Sequence, residues 1–208
     1  RNLNQELARA HVARYDFNSK LVVQLGGLAF RNIIQSNDGD GAVFYGASDE
    51  GKRIATQWMG NGFSDIYEIN PETGARKIIV KDFKGNVSPS STGKYLMMYD
   101  DVKRQYFAYN STDQKINALG KDVKNPFYDV DNDVPDDPNA YGIAMWMENH
   151  KHFILYDRYD LWLVDATGLN ASQLLTKGRS SKHEYRFVNL DADKKVIGFK
   201  DQILLRVY

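Results

Sequence analysis

Short runs of apolar, β-branched and aromatic residues recur along the chain, and turn formers separate them. Gly41–Tyr45, Arg53–Met59, Asp65–Ile69 and Arg76–Val80 are such runs, with Asp49-Glu-Gly51, Gly60-Asn-Gly62 and Asn70-Pro-Glu-Thr-Gly74 between them. Runs of this length bounded by Gly, Pro, Asn and Asp predict strands joined by tight turns. The glycines suit positions that need positive φ, and Pro71 is preset for a turn corner. Helical spacing occurs only in residues 1–14, where Leu3, Leu7 and Ala10 share a face. A short N-terminal helix is predicted there, although a severed strand or a linker would give the same pattern.

The pattern also repeats. Asp65-Ile-Tyr-Glu-Ile-Asn70, Gln105-Tyr-Phe-Ala-Tyr-Asn110 and Asp160-Leu-Trp-Leu-Val-Asp165 are each an apolar strand closed by Asn or Asp. Each leads through a small polar turn to a second strand: Lys77–Val80, Ile116–Leu119 and Gln173–Thr176. Asn70 to Asn110 is 40 positions, and Asn110 to Asp165 is 55. Two further strands precede each pair, for example Tyr141–Met147 and His152–Tyr156. Four strands per unit at about 40–45 residues is the signature of a β-propeller blade. Runs such as Leu161–Val164 and Ile203–Leu205 lack strict alternation, as expected of strands buried on both faces. The expected fold is therefore all-β: a β-propeller or partial propeller of about four to five four-stranded antiparallel blades, against another antiparallel sheet arrangement. Blades fall at 41–80, 86–120 and 141–176, with partial ones at 15–36 and 183–208. The longer step is absorbed by an insertion at 121–140, and the whole of 1–208 reads as one propeller segment.

Composition narrows what such a segment can do. The chain has 208 residues, with 27 Lys+Arg against 27 Asp+Glu and no cysteine. Aromatic residues make up 12% of it, too many for a solvated coil. A formal net charge of zero argues against nucleic-acid binding, which needs a basic stripe to neutralise phosphates. The absence of cysteine excludes disulfides, Cys-based zinc sites and a thiol nucleophile. No apolar run approaches the roughly 20 residues of a membrane span, and no signal peptide is visible. The chain opens on Arg1 and not Met, and by the blade count it starts and stops inside a blade, so it reads as a piece of something longer. Cut propellers leave unpaired strand edges, so an edge-mediated dimer is expected.

Two stretches carry a family resemblance. Val87-Ser-Pro-Ser-Ser-Thr-Gly-Lys-Tyr-Leu96 resembles a strand opening of propellers in prolyl-oligopeptidase-type (S9) serine peptidases, and also of TolB-like propellers. Asp133–Gly142, Trp146, Phe153-Ile-Leu-Tyr-Asp-Arg-Tyr-Asp-Leu-Trp-Leu-Val-Asp165 and Leu175-Thr-Lys-Gly178 resemble the propeller region of secreted S9-type peptidases of Bacteroidetes-like bacteria. The likeness covers residues 84–190 well and the rest loosely. It implies a periplasmic or extracellular protein whose propeller precedes an α/β-hydrolase domain and restricts entry to small peptides. The implied partners are that C-terminal hydrolase domain and the peptide substrates of the parent. A stand-alone TolB-like scaffold that binds a protein or peptide is the alternative. No catalytic role transfers to this chain. Gly46-Ala-Ser-Asp-Glu50 and Gly62-Phe-Ser-Asp-Ile66 both lack the second glycine of a nucleophile elbow.

The remaining candidates rest on residue chemistry. Asp129, Asp131 and Asp133 alternate as a calcium loop begins, but Val134 stands where a glycine is expected and Ala140 where a bidentate Glu is needed. A solvated loop stiffened by Pro135 and Pro138 has the same composition. His150 and His152 point to one side if they sit on a strand, which can begin a zinc site; a polar turn is the bland alternative. Ser88–Lys94 invites a phosphate-loop reading, but Gly85 is too far upstream and Tyr95 replaces the magnesium-holding Ser/Thr. Arg158, within Asp157-Arg-Tyr-Asp160, can hold a peptide carboxylate with its guanidinium fork, or pair locally in a charged turn. Phe127 and Tyr128 of the insertion can line a partner surface, or pin the loop to a sheet edge. No cofactor is predicted.

Overall fold

The computed structural model describes residues 8–56 and 62–208. It is all-β, built of antiparallel sheets with very little helix, and divides into two compact units, Arg1–Phe83 and Lys84–Tyr208.

In the first unit β1 (Ala13–Tyr15) and β2 (Val22–Gln24) form a hairpin. Strands β3 (Asn32–Ile34), β4 (Phe44–Ser48), β5 (Ser64–Ile69) and β6 (Arg76–Phe83) follow as an antiparallel meander in sequence order. Leu25, Phe44 and Ile69 form its core with Val12, Val23 and Ile33 against them. Gly46 lets Ile69 pack close, because a Cβ there would lie 2.9 Å from Ile69 Cδ1 and the end of that side chain would have to shift. Residues 1–7 of the expected N-terminal helix lie outside the described residues; Ala8 to Val12 are not helical, and β1 starts at Ala13. The expected strand Arg53–Met59 is corrected. Arg53–Thr56 is a short helix, α1, and residues 57–61 lie outside the described residues. The reason is topological: β4 pairs directly with β5 along its full length, which leaves no place for a strand between them. Arg53 is instead tied back to Asp49 at 2.7 Å and to the Leu28 carbonyl at 2.9 Å.

The second unit holds two larger sheets. Strands β7 (Gly85–Pro89), β8 (Tyr95–Asp100), β9 (Gln105–Asn110) and β10 (Lys115–Ala118) make one meander. Strands β11 (Ile143–Met147), β12 (His152–Tyr156), β13 (Leu161–Asp165) and β14 (Gln173–Leu174) make the next. Beyond these, β15 (Tyr185–Phe187) pairs with β17 (Leu205–Val207), while β16 (Val196–Ile197) joins the edge of β11 in parallel. The 121–140 segment has a single ladder contact, Tyr128 to Ala140.

Period-2 alternation on β12 explains the packing. Phe153 and Leu155 enter one core with Tyr95, Met97, Tyr106, Trp146 and Val164, while Ile154 enters another with Met147, Leu161 and Ile197. The sheet of β11–β14 is thus buried on both faces, between the β7–β10 sheet and the β15–β17 ribbon. That is why its strands read as continuous apolar runs. Burying a phenylalanine such as Phe153 outright stabilises the fold by roughly 2–3 kcal/mol.

The residue that closes each repeat has a common job. Asn70 Oδ1 accepts the amides of Glu72 and Thr73, Asn110 Oδ1 that of Thr112, and Asp165 Oδ1 that of Thr167. The turns then reach positive φ at Gly74, Gln114 and Gly168. A short side-chain oxygen that captures the amide two residues on ends a strand and starts a turn, so Asn or Asp recurs there.

Candidate functional site

The β12–β13 turn, Asp157-Arg-Tyr-Asp160, organises one end of the second unit. Asp157 is fully buried. Its Oδ1 accepts the amides of Tyr159 and Asp160 at 2.7 Å each, and its Oδ2 accepts Trp162 Nε1 and Arg179 Nη2 at 3.0 Å each. Asp160, 2% exposed, accepts Thr176 Oγ1 at 2.8 Å together with the amides of Gly178 and Arg179. Gly178 is needed for close approach, because a Cβ there would stand 2.0 Å from the His183 carbonyl oxygen. Residues that carry the family resemblance, Asp157, Asp160, Trp162, Thr176 and Gly178, are therefore spent on holding this turn against the following loop.

Arg158 is the side chain the turn does not absorb. Its Nη1 donates to Asp131 Oδ1 at 2.8 Å, and Nη2 lies 2.8 Å from Asp131 Oδ2. Nε is buried without a hydrogen-bond partner, with the Glu184 carboxylate 3.8 Å away. Two guanidiniums lie close to the Tyr159 ring, with Arg158 Cζ at 5.2 Å and Arg179 Cζ at 5.1 Å from its centroid. Arg186 donates to the Arg158 carbonyl at 2.8 Å and stands over Tyr141 and Tyr156 at 5.7 and 5.2 Å. Burial pushes the Tyr156 and Tyr141 hydroxyls above their ordinary range, so both stay neutral, and they accept the amides of Phe187 and Val130. The result is an arginine–tyrosine face in which Arg179 is paired with Asp157, while Arg158 is paired with neither Asp157 nor Asp160. The partner of Arg158 comes from the insertion, 27 residues upstream.

The insertion is anchored at several points. Lys84, with its side chain 8% exposed, binds Asp136 at 2.8 Å and Asp137 at 2.7 Å. These hydrogen bonds raise the Lys84 ammonium above its ordinary range against the opposing effect of burial. Tyr99 Oη donates to the Pro138 carbonyl at 3.1 Å, and the Tyr141 amide donates to Phe127 O at 2.9 Å. Phe127 is 7% exposed, edge-on to Tyr106 and Trp162 at 6.3 and 6.4 Å. Its ring lies in the core and not on a surface open to partners. Tyr128 is half-buried and has Arg104 Cζ 5.5 Å from its centroid. Beside the C-terminal arm of the insertion is a cavity of about 270 Å³, lined by Asn86, Ser88, Met97, Tyr99, Tyr106 and Gly142 among others.

The other candidates separate. Among the described residues no group of three His, Asp or Glu converges as a metal site. Asp131 is held by Arg158, and Asp129 Oδ1 accepts the Asp131 amide at 3.0 Å. His150 and His152 do not meet: His150 Nδ1 lies 3.2 Å from Ser91 Oγ, and His152 Nδ1 lies 2.8 Å from Asn149 Nδ2. The Ser91–His150 pair was not visible in sequence, because 59 residues separate its members. No hydrogen-bonded carboxylate orients that imidazole among the described contacts, so it is no triad. Ser88 and Pro89 end β7 and Ser90–Lys94 forms the β7–β8 hairpin turn, closed by Ser90 N to Tyr95 O at 2.8 Å and Gly93 N to Ser90 O at 2.9 Å. Those amides are spent on the turn and do not cradle a phosphate. Among the described residues no helix is long and apolar enough to cross a membrane.

No protein-family profile and no curated protein matches the chain. Among solved structures it is similar to TolB from Acinetobacter baumannii at 13% identity and a TM-score of 0.45, over 96% of this chain and 46% of that one. It is also similar to an auxiliary nutrient binding protein from Bacteroides thetaiotaomicron at 14% identity and a TM-score of 0.40, over 81% and 37%. The chain spans less than half the length of either. Likenesses this distant carry no argument about function, and nothing in them singles out the S9 peptidases.

Proposed function

We propose that this chain is a non-catalytic segment of a β-propeller that acts as a binding scaffold, with the Arg158 face as its contact for a peptide or protein. The observation that carries the reading is the division of labour in the β12–β13 turn. Both buried aspartates serve the fold, while the guanidinium between them is turned outward on a tyrosine platform. Three successive four-stranded antiparallel meanders, the third with both faces buried, support the propeller part.

In its finer form the scaffold belongs to an S9-type serine peptidase of the periplasm or extracellular space. It gates and docks small peptides against an α/β-hydrolase domain further along the parent chain. The motif resemblance over residues 84–190 supports this, as does the absence of a nucleophile elbow in the sequence. A stand-alone TolB-like scaffold is the alternative. The blade boundaries 86–120 and 141–176, a first blade that runs from β3 through β6 in place of 41–80, and an edge-paired dimer are part of the same proposal. Reading the parent gene decides between the two forms. Gly-x-Ser-x-Gly followed by Asp and His downstream supports the peptidase, and a stop codon after the propeller removes it. Light scattering at high concentration tests the dimer, and a monomer throughout would refute it. Titration of the protein with short peptides, followed by amide NMR, tests the scaffold. Shifts that cluster at Arg158, Tyr159 and Arg186 support it, while shifts confined to other surfaces count against it.

A further inference from the structure

The Arg158 fork is filled by a carboxylate of the chain itself. Two parallel contacts of 2.8 Å to Asp131 reproduce the two-point geometry with which a guanidinium holds any carboxylate. Several features make this occupant replaceable. Asp157 and Asp160, the nearest carboxylates in sequence, are buried and engaged by other donors, so neither can fill the fork. Asp131 sits on an exposed stretch with its side chain 60% exposed, and exposed ion pairs contribute little net stability. The anchors that hold the insertion down, Lys84 to Asp136 and Asp137 and Tyr99 to Pro138, lie elsewhere on it. The remaining Arg158 donor, Nε, is buried and unsatisfied. Glu184, 3.8 Å from Nε, is shared with Arg186 at 3.4 Å.

We propose that Asp131 is an internal stand-in for a carboxylate-bearing peptide, and that the insertion regulates the Arg158 fork by competing for it. This rests on the scaffold reading above and adds the chemistry that is recognised. An incoming carboxylate takes both Nη positions, the Asp131 side chain swings into solvent, and no covalent bond changes. The ligand carboxylate can be a chain terminus or an acidic side chain.

The test is calorimetric titration of the protein with three probes: N-acetyl-trialanine as the free acid, its C-terminal amide, and N-acetyl-Ala-Glu-Ala amide. Asp131→Ala is expected to raise affinity for the free acid about tenfold, as when a competitor fills a site about nine-tenths of the time. The trialanine amide should gain nothing, and the glutamyl probe reports whether a side-chain carboxylate suffices. Arg158→Gln in the Asp131→Ala background should abolish the gain, with an unchanged urea midpoint as the control for folding. An equal gain for the amide, no gain, or a gain that survives Arg158→Gln overturns the proposal, and so does absence of binding by Asp131→Ala. Peptide binding indifferent to both substitutions sinks the competition by Asp131 and leaves a scaffold with its contact elsewhere.

Discussion

Asp157 and Asp160 in the β12–β13 turn and Asp131 in the insertion are the same residue type with opposite fates. The first two are 0% and 2% exposed and are each met by several donors, while Asp131 is mostly in water and meets one guanidinium. Burial makes the turn aspartates structural, because a carboxylate removed from water must be fully hydrogen-bonded to be tolerated. Exposure leaves Asp131 free to be exchanged. Asp136 and Asp137 stand between these extremes: they are partly exposed, but the cation they hold is buried.

Four substitutions sharpen this ordering, from the largest effect to the smallest. Asp160→Ala strands the Thr176 hydroxyl and the Gly178 and Arg179 amides, and should cost about 3 kcal/mol in urea unfolding. A loss under about 1 kcal/mol would mean that water replaces the carboxylate and the turn is less dry than its burial implies. Gly178→Ala forces a methyl group against the His183 carbonyl and should destabilise by about 2–3 kcal/mol.

Asp165 gives the pH arm. Burial pushes its carboxyl up, but the Thr167 amide, Asn170 and Lys151 more than offset this and hold it below the ordinary range. A depressed folded value contributes stability that is complete above the unfolded value of about 4 and is lost as pH falls through the folded one. Asp165→Asn should therefore lower the melting temperature at pH 7, with a gap to wild type that narrows below about pH 4. A gap constant from pH 7 to pH 2 would contradict the assignment. Smallest in effect, Asp131→Ala should cost about 1.4 kcal/mol at low salt, the worth of a contact closed about nine-tenths of the time, and less as salt rises.

The features legible in the sequence are the local ones. Asn70, Asn110 and Asp165 announced strand ends because the turn amides they capture lie only two or three residues forward. The continuous apolar run Leu161–Val164 marked a strand buried on both faces for a similarly direct reason. What stayed hidden depends on distant pairing. Arg53–Thr56 has a strand-like pattern and is helical, because the β4–β5 register excludes it from the sheet. Arg158 stood out as a candidate, but nothing local shows that its fork closes on Asp131 and not on its own turn. Asp157 and Asp160 read as a charged turn in which Arg158 pairs locally. The signal that could have found them is their three-residue spacing beside Trp162, whose indole N–H needs an acceptor once buried.

The central claim is that the Asp131–Arg158 pair is exchangeable while the aspartates beside Arg158 are not. A double-mutant cycle on Arg158→Gln and Asp131→Ala, read by equilibrium urea unfolding at moderate salt, tests it most directly. The account predicts a coupling of about 1.4 kcal/mol, the worth of a contact closed about nine-tenths of the time and well below the loss measured for Asp160→Ala in the same buffer. A coupling as large as that loss would make the pair a structural strut and contradict the account.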